Sequence, residues 1–177
     1  MSDPSPGARA VVAYEIEDVV LIECGAKLAR DFNPTMFIKN VQFAHRTWID
    51  GEVLSQDRVP VADGEQYHLL RYFLSTEVHL LKPDVIPKEE PTAEDFMASF
   101  NFVFAIDYRC AKEATADLEA IGSFTANAQF HAWPFVREEI HTMCGRLRIP
   151  RLTIPMLKLT PVADSAGYSG PQPLSKE

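Results

Sequence analysis

The chain has 177 residues, room for one domain with a sizeable core, and its 46% hydrophobic and 24% charged residues exclude wholesale disorder. A formal net charge of -8, with lysines and arginines scattered singly, speaks against nucleic acid as a partner, because phosphate binding needs clustered positive charge. No apolar run approaches the roughly 20 residues that a membrane span requires, so membrane insertion is not expected.

The first ten residues, MSDPSPGARA, are polar and proline-rich, with neither a basic n-region nor an apolar h-region. They read as a disordered start rather than a signal peptide, which makes the expected location cytoplasmic. From Val11 to Glu23, VVAYEIEDVVLIE is rich in β-branched residues and partly alternates, which predicts a strand with mixed faces. IKNVQFAHRTWIDG alternates more clearly and predicts a second strand ending at the turn pair Asp50-Gly51. Residues 52–65 are polar and acidic and read as loop, with a short strand at Arg58 to Val61. The aromatic and β-branched content of Gln66 to Leu81 predicts a third strand.

KPDVIPKEEPTAED holds three prolines and five acids and reads as a solvated connection. FMASFNFVFAIDYRC follows, with Phe100, Phe102 and Phe104 on one face, the strongest strand signal in the chain. After Cys110 the period changes. A short helix or turn interrupted at Gly122 precedes a clearer helix from Ala132 to Arg148. There Trp133, Val136, Ile140, Met143 and Leu147 recur at spacings of three and four, with Pro134 in the first turn and Pro150 as the stop. Residues 161–177 are rich in Pro, Ser and Gly and are expected to be disordered, which leaves 11–160 as the domain. The sum is an α+β domain, a four-stranded antiparallel sheet with a C-terminal helix packed on it.

Chemistry-bearing motifs are sparse. Glu138 and His141 form a single E-x-x-H pair, whereas carboxylate-bridged metal sites need two such pairs and further carboxylates. Cys24, Cys110 and Cys144 are far apart and fit no zinc spacing, so reduced thiols are expected and no metal or other cofactor. There is no G-x-S-x-G elbow, and Gly122 and Gly145 stand alone, so no phosphate-cradling loop is visible. Nothing points to an enzyme, although a small-molecule carrier or a hydrolase using an acid such as Asp107 is an open alternative. What stands out is the apolar surplus of Phe130, Trp133, Phe135, Leu152, Ile154 and Met156, on and just beyond one helix. Such a surplus either completes a core or interface, or forms a groove for extended polypeptide.

WPFVREEIHTMCGRLRIPRLTIPML resembles the C-terminal signature of the SecB family of export chaperones. Pro134, Phe135, Arg137 and Glu138 carry its first part; Pro150, Leu152 and Thr153 carry the second. FNFVFAIDYRC looks like the family's last strand and IEDVVLIECGAKL like its first, and the nearest likeness is to the branch associated with toxin–antitoxin systems. The resemblance implies a cytosolic, ATP-independent holdase in which sheets pair across a dimer and two dimers join through helices into a homotetramer. It implies clients that are unfolded preproteins in export and translocation or, alternatively, an antitoxin. The implied groove residues are Phe130, Trp133, Phe135, Leu152, Ile154 and Met156. An acidic sheet surface including Glu15, Glu17, Asp18 and Glu77 is implied as the dock for the SecA motor. The breaker-rich end of the chain departs from the second helix typical of the family, and no zinc-docking tail is visible.

Overall fold

The computed structural model describes residues 5–33, 43–58, 67–82, 85 and 91–154. A short helix α1 (Pro6–Ala13) leads into β1 (Glu15–Leu28), β2 (Phe43–Arg58), β3 (Tyr67–Leu81) and β4 (Phe96–Cys110). Helices α2 (Leu118–Ser123) and α3 (Thr125–Arg146) follow. The strands form one antiparallel sheet in the order β1-β4-β3-β2, so β1 and β2 are its edges.

The even-numbered positions of β3 and β4 explain the layering. Leu70, Tyr72, Leu74, Val78 and Leu80 of β3 share a parity with Phe100, Phe102, Phe104, Ile106 and Tyr108 of β4, and all are buried. They meet Ala128, Ala132, Trp133, Val136, Ile140 and Met143 of α3 in one core. Each fully buried aromatic or branched side chain there contributes about 1.5–3 kcal/mol over its exposed state. Tyr72 reaches through this layer and donates its hydroxyl to the Ile121 carbonyl at 2.9 Å, fixing α2 over the end of the sheet.

The other face carries the polar parity. Arg71 and Asp107 are register partners there and form a two-pronged ion pair at 2.6 and 2.7 Å. Nearby, Arg109 donates to Glu17 at 2.8 Å, and farther along the sheet Arg46 lies over the Trp48 ring. A half-solvated antiparallel sheet takes this inside–outside pattern.

Several elements depart from the sequence expectations. Pro6–Ala13 is a helix, where disorder and then strand were expected. Ser5 caps it, Pro6 opens it, Ala10 is fully buried, and Arg9 pairs with Asp117 at 3.0 Å. Burial of Ala10 in the core and the pairing of Arg9 with Asp117 order that start, and both are long-range contacts that a local reading does not see. β2 does not turn at Asp50-Gly51 but continues to Arg58, with a register shift between Asp50 and Leu54. Pairing to β3 on both sides of the bulge outweighs the local turn preference. Finally, α3 begins at Thr125, so Pro134 lies inside it rather than in its first turn. Pro134 has no N–H to give the Phe130 carbonyl, and it lies on the exposed side of the helix.

Candidate functional site

The segment from Phe130 to Ile154 divides sharply. Trp133, Leu152 and Ile154 are buried at 3%, 3% and 1% exposure and belong to the core, whereas Phe130 and Phe135 are 44% and 43% exposed. Met156 lies outside the described residues. The division follows from the end of α3. Arg148 takes a left-handed conformation (φ 55°), Ile149 donates to the Cys144 carbonyl at 3.0 Å, and Arg148 donates to the Gly145 carbonyl at 3.3 Å. This is a Schellman closure with arginine where glycine is usual. It reverses the chain, and Ile149, Leu152 and Ile154 fold back under the helix. The expected apolar rim over Leu152 and Ile154 is therefore core, and the exposed aromatic surface is Phe130 and Phe135.

His141, the histidine of the E-x-x-H pair, donates Nε2–H to the Leu152 carbonyl at 3.0 Å and helps to pin this return. Between the outer side of α3 and the returning segment runs an open groove of about 600 Å³. Its walls include Pro134, Arg137, Glu138, His141, Thr142 and Arg151.

A second exposed apolar set lies along the free edge of the sheet. Ile16, Val20 and Ile22 are 45%, 40% and 51% exposed, and register shifts between Ile16 and Asp18 and between Leu21 and Glu23 bulge β1. Val11 and Val12 of α1 and Leu118 of α2 are exposed as well. The mixed faces of VVAYEIEDVVLIE were the available signal for this edge.

The four acidic residues do not form one cluster. Glu15, Glu17 and Asp18 sit at the start of β1, opposite Arg109 and Asp107 of β4. Glu77 pairs in register with Asn101, six residues from Asp107 along β4, or about 20 Å. Glu17 is engaged by Arg109, the Asp18 carboxylate accepts from Val19 N–H at 2.8 Å, and Glu77 lies 3.6 Å from His79.

The alternative chemistries find little support in this geometry. Asp107 is 4% exposed and both carboxylate oxygens are taken by Arg71. Cys110 and Cys144 are buried, and burial pushes both thiols up, away from the reactive thiolate. Among the described residues no group of three or more His, Cys, Asp or Glu could hold a metal ion, and no helix is long and apolar enough to cross a membrane.

No protein-family model matches the chain, and no curated protein does. Among solved structures, the Mycobacterium tuberculosis SecB-like chaperone Rv1957, in complex with a ChAD peptide from the Rv1956 HigA1 antitoxin, matches with a TM-score of 0.60. The match covers 88% of this chain and 98% of that one, at 18% identity. The chain has the SecB-like fold. The likeness lies in the order of elements and their packing, since so few residues are shared. The SecB-like architecture therefore rests here on the alternation of β3 and β4 and on one helix laid across them.

Proposed function

We propose that the protein is an ATP-independent holdase that captures unfolded polypeptide on apolar surface, without catalysis and without a cofactor. The observation that carries this reading is the SecB-like fold over 88% of the chain, in a relative solved with a peptide from another protein bound. The exposed Phe130 and Phe135 on α3 supply aromatic surface for client side chains. Burial of client side chains contributes about 25 cal/mol per Å², set against the cost of ordering the client. Trp133, Leu152 and Ile154 are buried in the core and support this surface only through packing.

An antitoxin is the client class that the solved relative favours; unfolded preproteins bound for export are the broader alternative. In either case the working form is a cytoplasmic homotetramer. The unpaired edge of β1, with Ile16, Val20 and Ile22 exposed, is suited to join two sheets. Glu15, Glu17, Asp18 and Glu77 would offer SecA two separate acidic spots rather than one patch. The test is light-scattering aggregation of an unfolded client with and without the purified protein. Suppression at equimolar ratio supports the reading; an unchanged aggregation trace refutes it. Multi-angle light scattering tests the assembly, and a monomer at all concentrations contradicts it.

A further inference from the structure

Of the eight residues of α1 only Ala10 is buried, whereas its two largest aliphatic side chains, Val11 and Val12, are 59% and 89% exposed. A helix this short has little stability of its own, so α1 depends on its docking against α2. That docking is slender. Arg9 reaches Asp117 at 3.0 Å and Glu119 at 3.6 Å, and Gly7 lies beside Ser123. The Arg9 and Asp117 side chains are 36% and 30% exposed, and an ion pair so open to solvent holds weakly. Val12 stands one turn from Arg9, and the exposed Leu118 follows Asp117, so bare apolar side chains flank the pair. The residue after α1 is anchored separately. The Tyr14 ring meets Phe124 edge-on at 5.0 Å, and its hydroxyl donates to the Ala114 carbonyl at 3.2 Å. Rotation at Ala13–Tyr14 therefore lets α1 leave α2 without drawing β1 out of the sheet. Ala10 shares the core with Ala120, Ile121 and Phe124, so its departure opens one wall of that apolar cluster.

We propose that α1 is a strap over a client site: docked on α2 it covers the apolar cluster of Ala120, Ile121 and Phe124, and undocked it gives clients access to that cluster. The inference rests on the holdase reading and names a regulation of it. Opening of this kind is local, because the contacts that α1 gives up are few and the sheet and α3 keep theirs. Capture at this end of the molecule is then in competition with α1.

The test locks and loosens the strap in the full chain. A Cβ added at Gly7 would stand 3.9 Å from the Ser123 hydroxyl oxygen, so Gly7→Cys with Ser123→Cys can close a disulfide between α1 and α2. Binding of a hydrophobic fluorescent dye and suppression of client aggregation are then read for the oxidised and the reduced double variant. Both are expected to fall severalfold on oxidation and to recover on reduction. Arg9→Glu, which turns attraction to Asp117 and Glu119 into repulsion, should raise dye binding roughly threefold with little change in the global unfolding midpoint. Arg9→Lys should behave as the unaltered protein does. Equal dye binding by the locked and reduced forms, or by Arg9→Glu and the unaltered protein, overturns the proposal. So does a rise in dye binding that merely follows a fall of the global midpoint. Aggregation suppression by the unaltered protein reads the holdase proposal, whereas dye binding reads the strap without a client, so the two can fail independently.

Discussion

The Nε2 of His141 donates a hydrogen bond to the carbonyl oxygen of Leu152 at 3.0 Å, joining the outer side of α3 to the chain that returns beneath it. The bond adds to the Schellman closure in keeping Leu152 and Ile154 in the core. Without it, the return is held by the Schellman turn, by a hydrogen bond between Cys144 and the Leu152 backbone, and by apolar contact. Replacing His141 with Phe keeps the bulk and removes the donor. The expected cost is about 1–2 kcal/mol in urea unfolding, with increased dye binding to the loosened apolar segment. A variant with unchanged stability and dye binding would show that packing alone holds the return.

The Arg71–Asp107 pair is a two-pronged electrostatic tie between β3 and β4. The Asp107 side chain is 5% exposed and Arg71 27%, so removing the acid leaves a half-buried guanidinium without its carboxylate. Asp107→Ala should destabilise the protein by about 2–4 kcal/mol, whereas Glu17→Ala, at the exposed edge, should cost less than about 1 kcal/mol. Chemical denaturation of both variants checks the ordering.

His131 makes stability depend on pH. Its Nδ1 lies 2.8 Å from the Tyr108 hydroxyl, against the Phe124 ring, and burial holds its pKa below the ordinary 6.5. Burial likewise raises the Tyr108 hydroxyl far above its ordinary value, so it stays a donor to the neutral imidazole. As pH falls, the unfolded chain takes up the proton before the folded one. The stabilisation is thus complete above about pH 6.5 and is lost as pH drops through that value towards the folded one. Between about pH 7.5 and 5.5 the unaltered protein should lose more stability than His131→Gln, which keeps an acceptor but does not titrate. Parallel curves would contradict this role.

Gly122 lies in α2, and a Cβ added there would meet nothing within 4 Å. Gly122→Ala should therefore stabilise the protein by about 0.5–1 kcal/mol, through helix propensity alone. A rise in melting temperature checks it.

The sequence makes the core legible because β3 and β4 are central strands with one buried face. Their period-2 pattern is unbroken through Phe100, Phe102 and Phe104, and the helix spacing from Trp133 to Leu147 is equally plain. The edges are harder to read, since β1 is bulged and β2 passes through Asp50-Gly51, where local turn preference opposes sheet pairing. The candidate site was half legible. Phe130 and Phe135 are exposed, whereas the fate of Leu152 and Ile154 depended on a left-handed Arg148 that no glycine announces. The groove was hidden too, because Arg137 and Arg151 are apart in sequence and line one groove only through that reversal.

The most direct test of the holdase account is aggregation suppression by the unaltered protein and by the double variant Phe130→Asp, Phe135→Asp. Both side chains are exposed, so circular dichroism and the unfolding midpoint should change little. The account predicts that the unaltered protein suppresses client aggregation at equimolar ratio and that the folded double variant loses most of this effect. Full suppression by the folded double variant would contradict the account.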